Sequence, residues 1–217
     1  MGIVKATFAA YRRHRFAILF FTLLATLAAR GVFEVLAFHW NPLELLLAVN
    51  FVAAASAARE SRGPLAFAAV FLVARAAAEV LGIHAVLSLS EAAWVAGCLT
   101  ATAVTVRHVM RPGVVDRERI FAALDAYILT GIVFGVCYFI LDRAWPGSLR
   151  TPSASSLTVA EAIYFSFVTI ATLGYGDIVP VSGPARGLAI VEAVGGQMYL
   201  AVLVARLVSL YVKEGSA

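Results

Sequence analysis

Thr169-Ile170-Ala171-Thr172-Leu173-Gly174-Tyr175-Gly176-Asp177 is the stretch on which the reading of this 217-residue chain turns. Two glycines bracket a tyrosine. Gly174 and Gly176 lack a Cβ, so the backbone there can take angles closed to ordinary side chains. A short backbone freed in this way can turn successive carbonyl oxygens to one side, where they can replace the water around a bare cation. Thr172 offers a hydroxyl as well as a carbonyl at the lower end of the run. Tyr175 can wedge the strand against the protein around it.

The segments on either side fit that reading. Thr158-Val159-Ala160-Glu161 has the pattern of a helix capping box. A helix over 159–171 is predicted to be about 20 Å long, too short to cross a hydrocarbon layer, so it is expected to be re-entrant. Its C-terminal end carries negative partial charge, which favours a cation beneath the glycine run. After the run, residues 180–184 turn the chain, and residues 186–212 form another hydrophobic span.

Residues 162–180, AIYFSFVTIATLGYGDIVP, resemble the pore helix, filter and exit of tetrameric potassium channels in the voltage-gated-like superfamily. The likeness is to the bacterial type, with six membrane helices per chain. The family's filter is Thr-x-Gly-Tyr-Gly, and here Leu173 stands where the commonest form has valine. The resemblance implies that Thr172, Leu173, Gly174 and Tyr175, followed by Gly176, ligate permeant K+. It implies no organic cofactor. Tyr164 and Phe165 align with the family's aromatic pair, which would pack against Tyr175 of the same or a neighbouring chain or serve only as core. Val168 stands where one bacterial channel has a glutamate bonded to the filter aspartate, so gating by that carboxylate pair is not expected. Asp177 is placed at the outer mouth, as a cation attractor, a cap for nearby amides, or both. Gly196 aligns with the inner-helix hinge, and Gly195-Gly196 serves either bending or close helix packing. Glu192, one turn before them, is unusual in such a helix. The hypothesis is that it hydrogen-bonds behind the filter and tunes it, and an unchanged selectivity and pH response in Glu192→Gln would remove it.

Composition agrees with a membrane chain: 62% of residues are hydrophobic and 14% charged, against about 25% charged in soluble domains. The expected fold is an all-α membrane protein with six spans, a re-entrant pore helix and a filter. Spans are expected near 16–38, 43–58, 65–81, 91–106, 120–141 and 186–212. Residues 1–119 then form a sensor-like domain with its linker, and 120–217 the pore domain. No cleaved signal peptide is expected at the start. Arg30 with Glu34 and Arg75 with Glu79 lie one helical turn apart, as structural pairs or as gating groups. The fourth span has no Arg or Lys between residues 91 and 106, so steep voltage gating is not expected. Asp125 lies inside the fifth span, and residues 142–156 form an outer loop.

Charge sets the orientation. Lys5, Arg12, Arg13, Arg15, Arg59, Arg62, Arg107, Arg111, Arg117, Arg119 and Lys213 fall on the side of both termini; Arg143, Arg150 and Arg186 fall on the other. The positive-inside rule makes the first side cytoplasmic, in a cell or inner membrane. The basic 107–119 stretch either couples the two domains or anchors anionic headgroups. A net charge of +4 located in loops does not suggest nucleic acid. Cys98 and Cys137 lie in apolar runs as free thiols, and the scattered histidines offer no metal site. No catalytic constellation is present, so an enzyme is not expected. Because one chain holds one filter motif, a homotetramer is implied. A potassium-uptake subunit and a non-conducting regulatory subunit are the alternatives.

Overall fold

The structure, a computed structural model, describes residues 14–35, helical positions between 99 and 109, residues 117–152 and residues 156–214, with side chains through 28 in the first helix and 206 in the last. The expected second and third spans, most of the fourth, the tight turn expected from the sequence at Asn41-Pro42, Cys98, Arg75 with Glu79, and the side chains of Arg30 and Glu34 lie outside the described residues. The chain divides into two units between Ala126 and Tyr127.

In the first unit, α1 (Arg15–Val35) begins close to the expected span. Phe16, Leu19, Leu23 and Thr26 are its buried positions, and their spacing forms one stripe along the helix. Glu118, at the start of α2 (Arg117–Ala144), accepts a hydrogen bond from the Phe16 amide at 3.0 Å. This satisfies one of the donors that a helix start leaves open. The Phe20 and Phe21 rings pack on Phe121, with centroids 5.7 and 6.0 Å away.

The second unit holds the later part of α2, then β1 (Leu149–Arg150), α3 (Val159–Ile170), β2 (Val179–Pro180) and α4 (Gly183–Glu214). Both α2 and the Gly183–Arg206 portion of α4 are long and apolar enough to cross a membrane. α3, at 12 residues, spans about 18 Å and is not. α3 lies close against α2: a Cβ built on Gly135 would come within 2.6 Å of the Ile163 backbone. Only a glycine allows that approach. Tyr138, Leu149, Leu157, Ala162, Phe165, Ile178 and Ala185 form the core beside the glycine run.

Two boundaries differ from expectation for local reasons. The loop after α2 contains β1, which pairs antiparallel with β2, Leu149 opposite Pro180 and Arg150 opposite Val179. Asp142 accepts from the Leu149 amide at 3.1 Å and fixes the strand's start. The last helix begins at Gly183, inside the expected turn, because the Ser182 hydroxyl accepts from the Ala185 amide at 3.3 Å. That is an N-cap, with Pro184 in the first turn, where its missing N–H costs nothing.

Candidate functional site

The site is built on the end of α3. Thr158 caps its start in extended conformation (φ −85°, ψ 156°), and the reciprocal bonds of a capping box are both present. Glu161 Oε2 accepts from the Thr158 amide at 2.9 Å, and Thr158 Oγ1 accepts from the Glu161 amide at 3.2 Å. Six α3 residues are buried, Phe165, Ser166 and Val168 among them.

Beyond Ile170 the chain leaves the helix but stays tied to it. The Thr172 amide donates to the Thr169 carbonyl at 2.9 Å. The Leu173 and Gly174 amides both donate to the Val168 carbonyl, at 2.9 and 3.4 Å. In a trans peptide the carbonyl of one residue points opposite to the N–H of the next, and no peptide here is cis. The carbonyls of Ala171, Thr172 and Leu173 therefore face away from α3. Positive φ recurs at every second residue: Thr172 at 58°, Gly174 at 60° and Gly176 at 80°. Alternating left- and right-handed residues place successive amides on one side of the chain and carbonyls on the other. An ordinary β-strand would alternate them. The whole run 171–177 is exposed, Leu173 to 55% and Tyr175 to 67%.

The exit is pinned by Asp177. Its Oδ2 accepts from the Tyr164 hydroxyl at 2.8 Å, and its Oδ1 accepts from the Ile178 amide at 3.0 Å. The Tyr164 hydrogen bond, helped by the Ile178 amide, holds this carboxyl below the usual carboxylate range. The same bond pushes the Tyr164 phenol up. Ile178 anchors the other side in the core.

The other residues named from the sequence lie on α3 and α4. The Phe165 ring meets Tyr138 edge-on at 4.8 Å, inside the core. Val168 is buried and contributes through its carbonyl. A Cβ on Gly196 would run into the Ile170 side chain, whereas one on Gly195 would meet nothing within 4 Å. Gly196 is thus a point of close packing at the base of the loop. Glu192 is buried and accepts from Tyr138 at 2.7 Å, and its Oε1 contacts Ser166 Oγ.

Sequence reasoning missed several participants. Ser166 and Tyr138 gave no signal beyond being polar groups in apolar helices. Tyr127 and Gln197 both donate to the Ile170 carbonyl, at 3.2 and 3.4 Å. They satisfy an oxygen that the end of α3 would otherwise leave open. Asp125, flagged only as a charge within a span, is buried in the first unit and has no hydrogen-bond partner among the described residues.

Comparison with known proteins bears on the same segment. Residues 123–213 match the family described as "Ion channel". Over 99 residues the chain is 32% identical to "Two pore potassium channel c" of Oryza sativa subsp. japonica, covering 46% of this chain and 20% of that protein. Over 80 residues it is 32% identical to "Inward rectifier potassium channel Kirbac3.1" of Paramagnetospirillum magnetotacticum, covering 35% and 24%. Over 97 residues it is 30% identical to "Protein LctB" of Bacillus caldotenax, covering 42% and 71%. The chain thus spans about a quarter or less of the first two relatives' length. No solved structure matches it.

Proposed function

Because this chain belongs to the ion channel family and is not an enzyme, we propose that it is a membrane channel that passes K+ selectively down its gradient. The observation that carries the proposal is the loop at 172–176: left-handed backbone at alternate residues, with the amides of 172–174 returned to α3 and the carbonyls of 171–173 therefore turned away from it. One such loop covers one side of an ion. Four copies around an axis would surround it, with Thr172, Leu173, Gly174 and Tyr175 supplying carbonyls and Thr172 its hydroxyl. Sodium holds its water more tightly, and these oxygens would return less than sodium loses. Several sites in single file let ions push one another onward, so selection and speed are compatible. Two of the similar proteins carry potassium channel in their names, which supports the choice of ion.

Tyr164, Phe165, Val168, Asp177 and Glu192 would hold the loop's width from behind. Bending at Gly195 is compatible with the open space there, while Gly196 would couple any movement of α4 to Ile170. The six-span chain, divided at 119/120 and with both termini cytoplasmic, and the anionic lipid at its basic loops are part of the same reading, as is the absence of steep voltage gating. Purified chain in liposomes, with K+ flux followed under imposed gradients, tests it. Passive flux that follows the K+ gradient is expected. Flux that needs another energy source would favour an uptake subunit, and none without a partner a regulatory subunit.

A further inference from the structure

Three oxygen–oxygen contacts run in line behind α3. The Tyr138 hydroxyl meets Glu192 Oε2 at 2.7 Å, Glu192 Oε1 meets Ser166 Oγ, and Ser166 Oγ meets the Gly131 carbonyl at 2.6 Å. Tyr138, Ser166 and Glu192 are all fully buried. Each hydrogen bond needs its own proton. Tyr138 brings one, Ser166 brings one, and the Gly131 carbonyl brings none. An ionised Glu192 would also bring none, leaving two protons for three contacts. Ser166 would then satisfy either Gly131 or Glu192, and one buried pair of oxygens would face each other with nothing between them. Lone pairs opposed at hydrogen-bond distance repel, so the line closes only with a third proton, on Oε1.

We propose that Glu192 is a neutral carboxylic acid that donates to Ser166, and that this proton ties α3 to the helices on both sides of it. The direction of donation is then single: Tyr138 to Glu192, Glu192 to Ser166, Ser166 to Gly131. The titratable groups near Glu192 are Tyr127, Cys137 and Tyr138, all on α2, while α3 presents only the Ser166 hydroxyl. Among the described residues no cation pairs with Glu192, so nothing nearby compensates a negative charge. Ser166 lies two residues before Val168, whose carbonyl holds the Leu173 and Gly174 amides. Losing the proton would put a lone pair against a lone pair at Ser166 and loosen α3 where the loop hangs from it. Glu192 and Ser166 are thereby positioning residues for the loop, not ion ligands.

The functional arm of the test rests on the channel reading; the spectroscopic arm does not. Infrared spectra of the purified full chain at neutral pH should show the carbonyl stretch of a protonated carboxylic acid that is missing in Glu192→Gln. An ordinary glutamate would already be ionised above about pH 6. Glutamine reproduces the neutral pattern, its amide donating to Ser166 and its carbonyl accepting from Tyr138. K+ flux in liposomes should fall about tenfold in the parent chain as pH rises from about 6 to about 9, and stay level in Glu192→Gln. A missing acid band in the parent overturns the proposal. So do flux profiles that are parallel in the two proteins. If neither protein conducts at any pH, the channel reading fails, and the infrared band alone decides the proton. If Glu192→Gln does not fold, the titration is run on Asp125→Asn, which removes the buried carboxyl that has no hydrogen-bond partner among the described residues: loss of the remaining band at alkaline pH, together with the falling flux, supports the proposal, and a band absent throughout overturns it.

Discussion

The two long helices of the second half are alike in composition and opposite in circumstance. Both are apolar enough to span a bilayer, yet the most apolar stretch of α2 is 56% buried within the chain and that of α4 only 11%. α2 finds partners in its own chain: α3 presses against it at Gly135, and Tyr138 reaches across to Glu192. α4 touches α3 along one line, through Glu192, Gly196 and Gln197. Elsewhere it leaves Ile190, Val191, Val194, Met198 and Val202 bare. Hydropathy alone cannot separate a helix that completes a core from one that awaits lipid or further copies. Buried contacts separate them.

The comparison makes graded predictions, checked by thermal or denaturant stability of purified protein unless stated. Gly135→Ala should do most harm, about 3 kcal/mol, because the methyl would meet the Ile163 backbone, which cannot yield cheaply. If Gly135→Ala proves neutral, the close α2–α3 contact is wrong. Tyr138→Phe should cost about 2 kcal/mol by leaving the Glu192 carboxyl short of a donor in a buried place. Thr158→Ala removes the cap of α3 and should cost about 1 kcal/mol. Gly195→Ala, on the open side of α4, should stay within about 0.5 kcal/mol or be slightly stabilising, since alanine favours helix. A large loss there would show that α4 is covered more tightly in the assembly than the single chain reveals.

The smallest effect concerns the exit and its pH dependence. Asp177 is held below its ordinary value by the Tyr164 hydroxyl, so its folded form binds protons less readily than an unfolded chain would. The contribution of this bond is fully present above the ordinary carboxylate range, and is lost as pH falls through the depressed value. In Tyr164→Phe the carboxyl should regain a more ordinary titration. Acid block of K+ current from the filter side should then begin at a higher pH in the variant than in the parent. Identical acid profiles would remove the Tyr164–Asp177 bond from the account.

What the sequence revealed follows from how local each feature is. The capping box at Thr158 and Glu161 and the glycines at 174 and 176 depend on neighbours a few residues away, and both were readable. The positive φ at Thr172 was not, because threonine carries no mark of a left-handed conformation. The β1–β2 pair was hidden because two-residue strands are too short to show a period. Glu192 was conspicuous as a charge in an apolar helix. Its partners were not, since Ser166 and Tyr138 lie 26 and 54 residues away in sequence. The pairs at Arg30 with Glu34 and Arg75 with Glu79, and the uncharged fourth span, are readings that still rest on sequence.

The most direct test is the reversal potential of purified protein in a planar bilayer, with K+ on one side and Na+ on the other. If the carbonyls of 172–175 form the conduction path, the potential should lie close to that of a membrane permeable to K+ alone. A reversal potential near zero, with both ions passing equally, would contradict it.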